Sequence, residues 1–265
     1  MASWNPELYL RFGEERTRPA HDLAARAREL LGDAADSRPR ILDLGCGPGN
    51  STAVLAAVFP RARISGLDSS PDMIAKARSS GLEAEWIEAD AATFEPEGVF
   101  DLIFSNAVLQ WVPAQEALLG RLALWLSPLG ALAIQVPGNK ESGLHQALLR
   151  TAASPAWRGR FVGLGESPRY EEPAFYFEVL EALGLSVDVW ETTYWHTLAG
   201  PRAVIDWYSG SGMRPWLDRL PAEDDKQAFK DAVFEAASAS YPPRSDGGVL
   251  FPFRRIFITA VRRRS

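Results

Sequence analysis

Three glycines at alternate positions constrain this chain more than any other feature. Residues 40–50 read Arg-Ile-Leu-Asp-Leu-Gly-Cys-Gly-Pro-Gly-Asn. An apolar strand, Ile41 to Leu44, runs into a turn carrying Gly45, Gly47 and Gly49. Ser51 to Phe59 follows as a helical segment, apolar at Val54, Leu55 and Val58. Strand, glycine turn and helix open a nucleotide-binding βαβ unit. Glycine keeps side chains out of the space between backbone and ligand and tolerates positive φ. The spacing narrows the choice of ligand. A dinucleotide fingerprint, G-x-G-x-x-G/A, requires Gly or Ala at position 50, and Asn50 stands there. The turn is G-x-G-x-G, with Asp43 two residues ahead of its first glycine.

The rest of the chain extends that unit. Pro19 to Leu31 has helical spacing of Ala20, Leu23, Ala24, Ala27 and Leu31, with Gly32 as a stop. Ala62 to Leu67 reads as a second strand ending at Asp68. Ser70-Pro71-Asp72 combines a capping hydroxyl, a first-turn proline and an acid at the positive helix end, and predicts a helix to about Ser80. Strands are predicted at Ala84–Glu88, Phe100–Ser105 and Ala131–Val136. A helix at Ala114–Leu126 and a turn at Pro128–Gly130 precede the last of these. Strands alternating with helices over about a hundred residues imply an α/β fold with a doubly wound parallel sheet. The alternation then breaks. Gly138–Pro173 holds short helical pieces, Phe175–Leu183 is helical and Val187–Thr197 is a strand. Arg202–Tyr208 and Ala222–Ala239 are helical, and Arg255–Val261 is a final strand entered through a Phe-Pro-Phe turn. The expected organisation is a single domain over 1–265. Its core covers about 36–137, 184–197 and 252–265, and a lid or cap comes from 1–35, 138–183 and 198–251.

Composition closes off several functions. Hydrophobic residues make up 46% and the net charge is −6, which argues against non-specific nucleic-acid binding. The single cysteine, Cys46, excludes a disulfide framework and fits a reducing compartment. Its place inside the glycine turn reads as a small residue that fits. Met1 to Pro6 lacks a signal-peptide pattern and no apolar run spans a membrane, so a cytoplasmic protein is expected. His21, His145 and His196 have no ligand spacing, so no metal is expected. Motifs for a serine hydrolase, a P-loop, a zinc protease or a dithiol are absent. Nine tryptophans, several outside the core strands, suggest a lined pocket or lid.

The G-x-G-x-G turn with Asp43 resembles the first motif of the class I S-adenosylmethionine (SAM) methyltransferases, whose cofactor has no pyrophosphate to cradle. The resemblance covers about residues 40–137 and implies a Rossmann-like sheet with helical cap insertions and SAM as cofactor. Asp68, ending the second strand with Ser69 beside it, can accept from the ribose hydroxyls. In this fold Asp90 and Ala91, after the third strand, would sit beside the adenine. Asn106 and Gln110, after the fourth, would lie under the methionine part. With Asp43, Gly45, Gly47 and Gly49 they form the candidate cofactor set.

Segments outside that core carry a narrower likeness. These are Trp4-Asn5-Pro6-Glu7-Leu8-Tyr9, Glu15-Arg16-Thr17-Arg18-Pro19, Trp190–His196, Ile205-Asp206-Trp207, Arg214-Pro215-Trp216-Leu217 and Phe251-Pro252-Phe253-Arg254-Arg255. In order and spacing they are similar, essentially end to end, to the trans-aconitate 2-methyltransferase family. The resemblance implies carboxyl O-methylation of a small polycarboxylate, giving a monomethyl ester and S-adenosylhomocysteine. An acidic protein then needs a local cationic pocket. The candidates are Arg16, Arg18, Arg214, Arg254 and Arg255, whose planar forks meet carboxylates in two hydrogen bonds, with Tyr9, Trp111, Tyr194 and His196 as walls or donors. No catalytic residue is expected, because a carboxylate is already ionised at neutral pH. Methylation of another small acid or amine, and SAM binding without turnover, stay open as alternatives, as does the oligomeric state.

Overall fold

The computed structural model describes residues 13–164 and 168–263, with side chains described from Thr17 onward. Two compact units divide the chain. One comprises Glu14–Pro137, Glu171–Thr192 and the end of the chain from Arg255. The other is built mainly from Gly138–Tyr170 and Thr193–Arg254. Among the described residues no helix is long and apolar enough to cross a membrane.

The first unit carries the glycine turn. Its strands are β1 (Arg40–Leu44), β2 (Arg63–Asp68), β3 (Glu85–Glu88), β4 (Phe100–Asn106) and β5 (Leu126–Pro137), joined by most of β6 (Leu185–Leu198) and β7 (Val249–Arg262). The sheet order is β3-β2-β1-β4-β5-β7-β6. From β3 to β5 every pair is parallel. β7 runs antiparallel to β5, so the sheet is mixed where a parallel one is predicted. The helices of this unit are α1 (Gly13–Leu31), α2 (Asn50–Val58), α3 (Pro71–Arg78), α4 (Gln115–Leu124) and α6 (Pro173–Ala182). Leu42, Leu44, Ile103, Leu132 and Ile134 pack with Leu118, Leu119 and Leu122 of α4 and with Tyr176 and Leu180 of α6. Each such side chain contributes roughly 1.5–3 kcal/mol on burial, which fixes strands and helices in one layered core.

Local signals placed most elements. Ser70 caps α3 by accepting from the Met73 amide at 3.4 Å, with Pro71 next in the chain. Three readings need correction. α1 begins at Gly13, not Pro19, and holds that proline inside. The Pro128–Gly130 turn is absorbed into β5: Phe100 pairs with Leu126 but Leu102 with Ala131, so five residues of β5 span two of β4. Phe251-Pro252-Phe253 lies inside β7 and is not a turn. Pro252 precedes the stretch Arg255–Val261 that pairs with β5, so its missing N–H costs no bond to that strand.

The second unit is helical around its own apolar centre. α5 (Gly143–Ala153), α7 (Pro201–Ser209), α8 (Arg214–Leu217) and α9 (Glu223–Ala237) enclose it. Leu144, Leu148, Trp207, Phe229, Val233, Phe251 and Phe253 form the cluster. α5 is one continuous helix where only short pieces are predicted, capped by Ser142, whose hydroxyl accepts from the His145 amide.

Candidate functional site

Asp43, the second-to-last residue of β1, has no solvent exposure. Its Oδ2 accepts from Ser51 Oγ at 2.7 Å and Thr52 Oγ1 at 2.6 Å, both in the first turn of α2. Burial pushes this carboxyl up to about 6, against the pull of those two hydroxyls. Asp43 therefore ties the strand to the helix that follows. Between them the chain turns tightly. The Gly45 and Cys46 amides both donate to the Leu67 carbonyl, at 2.7 and 2.9 Å. A β-carbon on Gly45 would lie 2.3 Å from Val108 Cγ2, and φ there is +71°, so only glycine fits. Gly47, at φ +54°, has nothing within 4 Å of where its β-carbon would point. That is an open face on the turn, where a ligand can approach the backbone directly. Cys46 is buried, and burial with Asp43 and Asp68 nearby pushes its thiol up, away from the reactive thiolate.

The end of β2 is locked to that turn. Asp68 Oδ2 accepts from the Gly47 amide and Oδ1 from the Ser70 amide, each at 2.9 Å. A carboxylate has roughly four acceptor positions, so two remain for ligand hydroxyls. Ser69 beside it is exposed. After β3, the Ala89 amide donates to the Asp68 carbonyl, which brings the next loop to the same edge. There Asp90 is exposed and accepts from the Ala92 amide at 2.8 Å, while Ala91 is buried.

β4 ends in a run of enclosed polar groups. Ser105 Oγ, Asn106 Oδ1 and Gln110 Oε1 are buried without a hydrogen-bond partner. Gln110 Nε2 donates to the Ala107 carbonyl at 2.6 Å, and Ala107 holds φ +60°, a conformation an alanine seldom adopts. Unsatisfied buried acceptors cost about 1–3 kcal/mol each and call for a donor. The donor groups of SAM, ribose hydroxyls and an ammonium, match what Asp68, Asn106 and Gln110 offer. The residues present thus fit the cofactor.

The acceptor-side candidates divide between the units. In the sheet unit, Arg18 is exposed on α1, Trp111 is 37% exposed after β4, and Arg255 is 5% exposed on β7. Arg255 Nη1 donates to Gln135 Oε1 at 3.4 Å. In the helical unit, Tyr194 is buried on β6, and His196 stacks on Trp207 with ring centroids 4.7 Å apart. Arg214 pairs with Asp218 at 3.4 Å, one helical turn on, and Arg254 is half-buried with its carbonyl accepting from the Gly138 amide. Tyr9 and the side chain of Arg16 lie outside the described residues. Among the described residues no group of His, Cys, Asp or Glu could hold a metal ion. Gln135 went unrecognised in the sequence. Its signal was a lone amide inside the apolar run Ala131–Val136.

Residues 13–219 match a family described as Methyltransferase domain. Over 266 residues the chain is 47% identical to trans-aconitate 2-methyltransferase of Methylobacterium nodulans, covering all of both chains. It is 43% identical over 262 residues to the protein of that name from Escherichia coli, covering 99% of each. Solved structures share the fold. The YcgJ protein of Bacillus subtilis superimposes with a TM-score of 0.58 at 15% identity, covering 90% of this chain and all of that one. The plantazolicin methyltransferase BamL, solved in complex with a triazolic desmethylPZN analog and SAH, gives 0.54 at 16% identity, covering 98% and 91%. The β-sheet with its Asp43-anchored glycine turn and the end-to-end sequence likeness together establish that the chain belongs to the trans-aconitate 2-methyltransferase family of SAM-dependent methyltransferases.

Proposed function

We propose that this protein transfers the methyl group of SAM to a carboxylate of trans-aconitate, forming a monomethyl ester and S-adenosylhomocysteine. One observation carries the reading: the likeness to proteins of that name runs the full length of the chain at 42–47% identity, not only through the glycine turn. The protein works in the cytoplasm, a reducing compartment that its single cysteine suits. Its partner is a small anionic acceptor, and residues 1–265 act as one methyltransferase domain with insertions.

SAM supplies a methyl group already activated on a sulfonium. The acceptor carboxylate, with an ordinary pKa near 4, is ionised at neutral pH, so no residue has to remove a proton. What remains for the chain is to hold, align and dry the reactants. Alignment alone is worth roughly 7–11 kcal/mol in well-oriented systems. Asp68 takes the ribose hydroxyls on its two remaining acceptor positions. Asn106 Oδ1 and Gln110 Oε1 take the ammonium of the methionine part. Gly47 lets the backbone approach without a side chain between. Asp90 and Ala91 border the adenine.

Guanidinium groups serve the other reactant. An arginine on the attacking carboxylate would draw charge away from its oxygen and slow the transfer. Arg255, and Arg18 on α1, therefore hold carboxylates that do not react. The reacting one meets neutral donors or none. Incubation with SAM and trans-aconitate, followed by mass and NMR identification of the product, tests the reading. A monomethyl ester above the level of an enzyme-free control is the expected result. Its absence, in a preparation that binds S-adenosylhomocysteine, overturns it.

A further inference from the structure

Gln135 is a neutral amide with no solvent exposure, set in the apolar body of β5. Its Oε1 accepts from Arg255 Nη1, which fixes the orientation of the amide and leaves Nε2 as a donor. That Nε2 is enclosed and meets no acceptor. An amide N–H in this state is costly unless something arrives to accept from it.

The register shows what else stands there. Asn106 of β4 is the direct partner of Gln135, and Phe257 of β7 is its partner on the other side. Arg255 lies two residues from Phe257. Paired residues, and residues two apart along a strand, share a face of the sheet. Asn106, Gln135 and Arg255 thus form one row across three neighbouring strands. Along it the chemistry changes sign: an unpartnered acceptor on Asn106, an unpartnered donor on Gln135, then a guanidinium. The row also leads away from the glycine turn at the end of β1. β5 is two strands from β1 and β7 three, which at ~4.8 Å per strand sets them roughly 10 and 14 Å to its side.

We infer that Gln135 Nε2 and the Arg255 guanidinium form a carboxylate subsite that holds one non-reacting carboxylate of the methyl acceptor. This rests on the function proposed above. A carboxylate gives Nε2 the acceptor it lacks and brings a negative charge against Arg255. Asn106 Oδ1, an acceptor, cannot join an anion site and stays with the cofactor's ammonium. Because Arg255 withdraws charge from what it binds, the group held here is a spectator. Gln135 therefore governs acceptor affinity and not the chemical step.

Two variants test this. Gln135→Met keeps the length of the side chain and removes the donor. Gln135→Glu keeps the shape and places a fixed carboxylate where the bound one would sit. In both, acceptor KM should rise on the order of 10- to 100-fold, the loss of one hydrogen bond to a charged group. Saturated kcat should hold within a few-fold, and the S-adenosylhomocysteine Kd from calorimetry should stay unchanged. Acceptor KM that does not move in either variant overturns the assignment. So does weakened S-adenosylhomocysteine binding at constant acceptor KM, which would give the subsite to the cofactor's own carboxylate, and so does loss of that binding in both variants. Wild-type protein run alongside separates the two levels. If it makes no ester, the proposed function falls and this inference with it. If it turns over and the variants match it, the inference falls alone.

Discussion

Asp43 and Asp68 come from neighbouring strands and serve opposite ends. Asp43 is sealed in, satisfied on one oxygen by two hydroxyls, and held as a fixed link between β1 and α2. Asp68 is half-buried, with each oxygen taking one backbone amide and keeping room for more. A ligand that fills the remaining positions makes charge-assisted bonds, worth about 1.5–3 kcal/mol each. Replacing Asp68 with Asn removes the charge and turns one acceptor into a donor. Calorimetry without acceptor should then show S-adenosylhomocysteine bound roughly 10- to 100-fold more weakly. Unchanged affinity would take Asp68 out of the ribose site. The neighbouring thiol carries no such role, since Cys46 is enclosed and its thiolate disfavoured.

At the scale of elements, the glycine turn is held by what it meets as well as by its own conformation. Gly45 is backed by Val108 from the loop after β4, 63 positions further along the chain. A β-carbon at Gly45 would collide with both Val108 methyls, at 2.3 and 2.6 Å, and would also force an L-residue into φ +71°. Gly45→Ala should therefore destabilise the protein by about 2–4 kcal/mol, the sum of a left-handed backbone cost and overpacking. Adding Val108→Ala should recover part of this loss and leave the backbone cost. Denaturant unfolding of the single and double variants checks it, and equal stabilities for the two would refute the contact. This element also shows where sequence reading stops. The need for glycine was legible, because strand, turn and helix are contiguous. The Ser70-Pro71 helix start was legible for the same reason. Val108 was not, because nothing local announces a contact across 63 residues. The same holds for Gln135: an amide in an apolar run was visible, but its bond to Arg255, 120 residues away, was not. The Pro128–Gly130 signal did mark a break, yet β5 carries it as extra residues because Leu126 still finds Phe100 to pair with.

At the scale of the molecule, two buried ionisable groups set opposing responses to pH. Asp43, in the sheet unit, has its carboxyl raised from 3.8 to about 6 by burial. The folded state holds that proton more tightly than the unfolded chain, so its contribution is full below pH 3.8 and is lost as pH rises through 6. His145, in the helical unit, is buried with Nδ1 2.7 Å from the Tyr208 hydroxyl, and burial lowers it from 6.5 to about 4. Here the unfolded chain holds the proton more tightly. The contribution is full above pH 6.5 and is lost as pH falls through 4. Each is worth on the order of 3 kcal/mol over its window, at about 1.4 kcal/mol per tenfold change in proton affinity. Between pH 4 and 6 the two slopes have opposite sign. Asp43→Asn keeps an oxygen for Ser51 and Thr52, removes the falling slope, and should make stability climb with pH across that range. His145→Asn keeps a polar atom toward Tyr208, removes the rising slope, and should make stability decline with pH. Denaturant unfolding at half-unit steps from pH 4 to 6.5 reads both. If the units unfold together, the wild-type profile is flat between its two variants. If they unfold separately, each variant changes the slope of its own transition. Variant profiles parallel to the wild type throughout would mean that neither proton is held as this packing requires.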